Sequence, residues 1–363
     1  MAAGLSLAND PDGRELCVLV VKGTFQFDQS GRGYLAEQQI PLVYSDEYHG
    51  EPGLSSIRNE CDFAFAKPRV DIIVHGAAMA PSNRPVRQVQ VRVDIDGWHK
   101  EATVFGDRYW KSGFFGECIS EPKPFTVMPL LYENSFGGTV QTRSKIHSDC
   151  CMDVCQENPV GVGIYGHTHS GDRELRLPNI ERPEDLIRQR HDRPQPIGFG
   201  VVARSWQPRR AAAGTYDDCW FQEKYPFLPK DFSTMHFMCA PGDQQFPQLV
   251  GGEMVRCANM TTEGFWSAVV PTIRFPVSFK FTNRTVQLQP MLDTLLIEPL
   301  ANRMVLVFRA STRLSHRVVD LHEVTVGEQT AVSMPECIGG KPKFRSLSEL
   351  TAWRRAQCEE TDS

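Results

Sequence analysis

A chain of 363 residues is long enough to bury a large core without disulfide or metal staples, and its 41% hydrophobic and 23% charged residues exclude a disordered chain. Its 39 basic against 44 acidic residues, a net charge of -5, leave no basic surplus for a phosphate backbone, so nucleic acid is not an expected partner. The opening MAAGLSLANDPDGREL lacks the basic region and apolar run of a secretory signal, no later window reaches membrane-spanning length, and the 11 cysteines are odd in number and scattered. These features predict a cytosolic chain with reduced thiols and no membrane partner.

In chain order, ELCVLVVKGTFQF (Glu15 to Phe27) combines β-branched and aromatic residues without helical spacing and reads as a first strand, with another near Tyr34 to Tyr44. In VQVRVDIDGWHKEATVF, Val89, Val91, Val93 and Ile95 share one face while Gln90, Arg92 and Asp94 share the other. Asp96-Gly97 supplies a two-residue turn with positive φ, which sets Ile95 opposite Trp98 and Val89 opposite Val104.

From Gly113 to Gly264 the chain is dense in Pro, Gly, Asn and Asp. Only short helices are expected there, at Pro183 to Arg190, opened by a first-turn proline with Glu184 and Asp185, and at Tyr216 to Tyr225. Strand alternation returns at Val277, Phe279 and Phe281, and TLLIEPLANRMVLVFRAS reads as two apolar strands around a Pro299 to Asn302 loop. In the tail, Ser346 and Glu349 have capping-box spacing, and Leu347, Leu350 and Trp353 repeat on one side. The expected fold is therefore mainly β with a few short helices: antiparallel sheets packed as a sandwich, long covering loops and a C-terminal helix. One β-rich domain over 1–333, with a loop-rich middle at 113–264, is followed by a tail over 334–363 that carries the amphipathic helix.

YGHTHSG places His167 and His169 one residue apart after a glycine, as metal-dependent phosphoesterases present their last ligands, and CCMDVC sets Cys150, Cys151 and Cys155 upstream. A two-metal site needs further carboxylates and imidazoles, because each cation takes several donors and a water must be held between them. Only Gly106-Asp107 stands upstream in the required form, Trp110 occupies the place of the next carboxylate, and the one Asp-x-His, Asp320 to His322, lies downstream. A zinc site on Cys150, Cys151, Cys155, His167 and His169 lacks a C-x-x-C knuckle, and adjacent cysteines aim poorly at one ion. With no nucleophile elbow, P-loop or dinucleotide fingerprint, the reading is of no cofactor and no catalysis. A metal-dependent hydrolase built on the GHTH loop is the alternative.

Several blocks carry a resemblance when taken in order: KPRVDIIVHGAAMAP (Lys67 to Pro81), VFGDRYW (Val104 to Trp110), PFTVMPLLYENSFGG (Pro124 to Gly138), NPVGVG (Asn158 to Gly163), LPNIERPEDLI (Leu177 to Ile187), DRPQPIGFG (Asp192 to Gly200), AGTYDDCWFQEKYPFLPKDF (Ala213 to Phe232), APGDQQF (Ala240 to Phe246) and LDTLLIEP (Leu292 to Pro299). The succession, from about Lys67 to about Ser311, resembles a bacterial family of type VI secretion adaptors. The resemblance implies a non-catalytic cytosolic adaptor or chaperone of a Gram-negative bacterium. Such a protein stabilises a toxic effector or its PAAR-like carrier and loads it onto the VgrG spike. The histidine pair falls in a connection that the resemblance does not mark as functional.

Within these blocks Gly106 suggests a bend after a strand, and Asp107 and Arg108 suit loop clamping by charge-assisted hydrogen bonds. Asp192, Arg193 and Pro194 read as loop fixation, and Asp243 as a turn closer. Trp110, Phe114, Phe115, Gln244 and Gln245 are the candidates for contact with a partner, as loop aromatics and amides that can anchor or hydrogen-bond a polypeptide.

Overall fold

The structure, a computed structural model, describes residues 1–9, 14–44, 47–48, 57–63, 70–113, 116–135, 174–188, 197–199, 249–314, 321–327 and 329–330. Three sheets, antiparallel but for one strand pair, carry the core. The principal sheet runs in the order Ala2–Asn9, Glu15–Phe27, Arg303–Arg313, Met291–Glu298, Asp71–Val74, with Gly33–Leu35 paired farther along Glu15–Phe27. Its one departure from the antiparallel expectation is Asp71–Val74, which lies parallel to Met291–Glu298.

The second sheet runs Ile180–Glu181, Trp98–Phe105, Gln88–Ile95, Met254–Ala258, Phe265–Val269. The third runs Thr285–Leu288, Val277–Phe281, Leu321–Val326, Gln329–Thr330.

The hairpin at the centre of the second sheet follows from local sequence. Asp96 and Gly97 adopt φ of 41° and 88°, the turn that matches strand twist, and Ile95 pairs with Trp98 as Val89 pairs with Val104. Val89, Val91, Val93 and Ile95 are buried on the inner face, each stabilising the fold by roughly 1.5–3 kcal/mol. They join Leu19, Val21 and Leu306 of the principal sheet and Val277 and Phe279 of the third in one core cluster.

Glu15–Phe27 is buried on both faces because a second, smaller cluster lies behind it. Val18, Val20 and Val307 there meet Leu42, Cys61 and Phe63. Met291–Glu298 alternates buried with half-buried residues, whereas Arg303–Arg313 is buried along most of its length.

Asn302, in the left-handed conformation at φ 48°, ties the sheets together at one end. Its side chain accepts from Trp266 Nε1 at 2.9 Å and donates to the Phe27 carbonyl at 2.8 Å, while Trp266 meets Phe27 edge-on at 5.8 Å.

Two expectations need correction. Residues 183–188 form no helix: the Asp185 N–H donates to the Arg182 carbonyl in a turn, and the Ile187 N–H donates to the Glu181 carboxylate. The side chain captures a backbone donor that a helix would use internally. The loop-rich middle also holds strands, among them Gly116–Ile119, Val127–Pro129, Glu174–Arg176, Ile180–Glu181 and Met254–Ala258. The helices expected at Tyr216 to Tyr225 and in the tail lie outside the described residues. Among the described residues no helix is long and apolar enough to cross a membrane.

Candidate functional site

Two assemblies of buried polar groups flank the core. The first lies at the end of the Trp98–Phe105 strand, where VFGDRYW and LPNIERPEDLI meet. Gly106 is required by space: a Cβ there would lie 1.8 Å from the Lys123 carbonyl oxygen. That approach lets the Lys123 N–H donate to the Asp107 carbonyl at 2.9 Å. Asn179 then reads both sides of the junction. Its carbonyl accepts from the Phe105 N–H at 2.7 Å, and its side-chain amide donates to the Phe105 carbonyl at 3.1 Å and to Asp107 Oδ1 at 3.2 Å.

Arg108 lies over the Phe105 ring at 3.8 Å and donates from Nη2 to the Glu181 carboxylate and, at 3.2 Å, to the Pro178 carbonyl. The two ionic side chains are 5% and 2% exposed, so both charges are held almost entirely in protein. Burial lifts the Glu181 carboxyl to about 7, against the pull of the Arg108 charge and the Ile187 N–H, and burial also pushes Arg108 below its ordinary range. Arg108 Nε and Ser135 Oγ are buried without hydrogen-bond partners.

The second assembly covers the outer face of the principal sheet. Lys22 pairs with Asp62 at 2.8 Å, and the same carboxylate accepts the Val43 N–H at 2.6 Å. Arg309 holds Asp293 through two bonds of 2.8 and 3.2 Å and reaches the Asp62 carbonyl at 2.9 Å. Farther along this face Glu298 takes Arg303 in a two-bond pair and lies 3.8 Å from His75. Burial works to raise the Glu298 carboxyl, but His75 and Arg303 outweigh it and hold the group at about 2.

Between the sheet and residues 59–62 is a cavity of about 40 Å³, floored by Ile73, Leu296, Val305 and Val307 and edged by Lys22, Asp62, His75 and Thr294. That space takes a few waters or one side chain, whereas a drug-sized ligand needs several hundred Å³. Chemically, both assemblies are suited to fixing chain segments: their charges are matched in pairs and directed at each other and at backbone groups.

Of the residues singled out in the sequence, Gly106, Asp107 and Arg108 come together in the first assembly. Trp110 is set by its backbone between Ile119 and Leu175. Phe114, Phe115, Cys150, Cys151, Cys155, His167, His169, Asp192, Arg193, Pro194, Asp243, Gln244 and Gln245 lie outside the described residues. Among the described residues no group of three or more His, Cys, Asp or Glu side chains is placed to hold a metal ion. Sequence reasoning missed Lys22, Asp62, His75, Glu181, Asp293, Glu298 and Arg309. A signal was present for two of them, since Lys22 and Arg309 interrupt otherwise apolar runs in VLVVKGTF and VLVFRAS.

The family model described as "Uncharacterized protein conserved in bacteria (DUF2169)" matches residues 12–309. The chain belongs to this family. The DUF2169 match takes in both assemblies and all the blocks from Lys67 to Pro299. No curated protein and no solved structure matches the chain.

Proposed function

We propose that the chain is a non-catalytic adaptor of a bacterial type VI secretion system. It binds and stabilises an effector or its PAAR-like carrier in the cytosol and loads it onto the VgrG spike. The observation that carries this reading is the ordered succession of blocks resembling such adaptors, all within the span of one bacterial family match. The architecture supports it. A β scaffold whose buried charges fix its own segments is suited to presenting loops and sheet edges to another polypeptide, and the cavity of about 40 Å³ on the outer face is sized for a side chain, not a metabolite.

The test is affinity purification of the chain from its native bacterium followed by mass spectrometry. Recovery of an effector, a PAAR-like protein or a VgrG spike is the expected result. Failure to recover any of them, together with stoichiometric zinc, manganese or iron in untagged protein, would replace this reading with the metal-dependent hydrolase.

A further inference from the structure

The edges of the sheets differ in how they are closed. At Ala2–Asn9 the central residues Gly4, Leu5 and Ser6 are buried. At Asp71–Val74 the Val74 N–H donates to the Phe199 carbonyl at 2.7 Å. At Phe265–Val269 the Val269 N–H donates to the Gly31 carbonyl at 3.0 Å, in a loop that Asp28 pins through Ser30 and Arg32.

Trp98–Phe105 is different. One side is paired along its whole length with Gln88–Ile95, but on the other side Ile180–Glu181 pairs only with Val104 and Thr103. The ladder alternates, so the bonds between Phe105 and Asn179 fix which residues face outward: Phe105, Thr103, Glu101 and His99. Phe105 and Thr103 are satisfied by 179–181. In the continued register Pro183 would stand opposite Glu101, and it has no N–H to give. The chain turns away there, through the bond from the Asp185 N–H to the Arg182 carbonyl. Among the described residues nothing pairs with the main-chain N–H and C=O groups of His99 and Glu101, and His99 is exposed.

We infer that this truncated edge is a strand-accepting site, which takes an extended segment of a partner polypeptide beside His99 to Glu101. An extended backbone is the chemistry that matches alternating donors and acceptors. The side chains define the segment further. Arg92 and Glu101 are cross-strand partners on the outer face, 3.8 Å apart, and Glu101 is 32% exposed. A Lys or Arg on the incoming strand opposite Glu101 continues this alternation of charge. Its neighbours in sequence lie over the inner face, where Ala102 is buried and the buried Lys100 amine lies over the Phe199 ring; a basic residue there would meet a like charge out of water, so these positions are apolar. The occupant is thus a strand alternating basic and apolar residues. The inference rests on the adaptor reading for the identity of the client, but not for the edge itself.

The probe is an acetylated, amidated eight-residue peptide alternating Lys and Val. It is compared with the same peptide N-methylated at alternate residues, in the two frames that block either ladder edge. Amide exchange of the full chain is followed residue by residue. At saturation the plain peptide slows exchange at His99 and Glu101 by about tenfold or more, while the peptide methylated on the ladder-facing edge does not. Glu101→Pro removes an outward N–H without breaking a hairpin bond, and it weakens binding by about tenfold. Gln287→Pro, on the edge of the third sheet, leaves binding unchanged. Two results overturn the inference: no slowing at His99 and Glu101 with millimolar peptide, or equal binding by Glu101→Pro.

A client recovered from the native cell separates the two proposals. If Glu101→Pro captures it as well as the unsubstituted chain does, the strand site is wrong and the adaptor reading stands. If the unsubstituted chain captures no secretion partner, the adaptor reading fails and the peptide experiment alone decides the edge.

Discussion

Replacing Arg108 by Met tests whether the first assembly is an electrostatic clamp. Its partner Glu181 is only 2% exposed and would keep one charge-stabilising contact, the Ile187 N–H at 3.0 Å. Breaking a buried pair from one side destabilises by about 3–5 kcal/mol, because the remaining charge is uncompensated. Here the loss depends on pH. The Glu181 carboxyl is raised from 4.5 to about 7, so between those values the folded state holds a proton that the unfolded chain has released. Stability therefore falls as pH rises through this window, by about 3 kcal/mol for one group once both states are ionised. Without Arg108 the carboxyl rises further, and protonation relieves the substitution at low pH.

Urea unfolding of the unsubstituted chain, Arg108→Met, Glu181→Gln and Arg108→Met/Glu181→Leu at about pH 5 and about pH 8 gives the comparison. Arg108→Met loses more at the higher pH. Glu181→Gln lacks the part of the pH slope that belongs to residue 181. The double variant, which removes both charges, recovers most of the loss. An Arg108→Met loss that is the same at both pH values, or a pH slope identical with and without Glu181, would refute the argument from burial.

Three further outcomes follow from the geometry. Gly106→Ala forces the Lys123 backbone aside, since its Cβ would lie 1.8 Å from that carbonyl, and should destabilise by about 2 kcal/mol or more in chemical denaturation. Asn302→Ala leaves Trp266 Nε1 and the Phe27 carbonyl without their partner and puts alanine, which tolerates the left-handed region less well than asparagine, at φ 48°; a loss of about 1–3 kcal/mol is expected, with a change in tryptophan fluorescence. Glu298 is held at about 2 against an ordinary 4.5, so it contributes stability that is present above 4.5 and lost as pH falls toward 2. Glu298→Gln should flatten the acid limb of the stability curve in that window.

What could be read in the sequence was what local pattern determines. The hairpin from Gln88 to Phe105 has period-two alternation and a turn that admits few conformations, so its register was legible to the residue. The apolar strands around Pro299 to Asn302 were legible from their nearly continuous apolar runs. Pairings between distant segments were not. Asp71–Val74 reads as a strand from its own residues only weakly, and its parallel place beside Met291–Glu298 is decided by packing across the sheet.

The failed helix at Pro183 shows two uses of one residue. A proline ahead of Glu184 and Asp185 is a good first helical turn, but it is also a stop to strand pairing, and the Glu181 carboxylate had already claimed the Ile187 N–H. Nor could the sequence pair Arg108 with Glu181, because nothing in either block names the other. The stretches of sequence that hold the partner-contact candidates carry no periodic signal that fixes a face.

The two features of the LPNIERPEDLI block act on one strand in opposite senses. Asn179 and Glu181 fasten the block to Trp98–Phe105 with backbone bonds and to Arg108, just beyond it, with a buried ion pair; two residues later Pro183 ends the pairing and turns the chain out. A longer native strand would close the edge, and a block without its clamp would leave the end of the strand unpaired beyond Thr103 as well. Fastening at 179–181 keeps the added edge short and its boundary fixed, which confines pairing by an incoming segment to His99 through Glu101. Confinement of this kind limits strand addition to a segment of matching length and charge, where a long open edge would also pair with copies of itself.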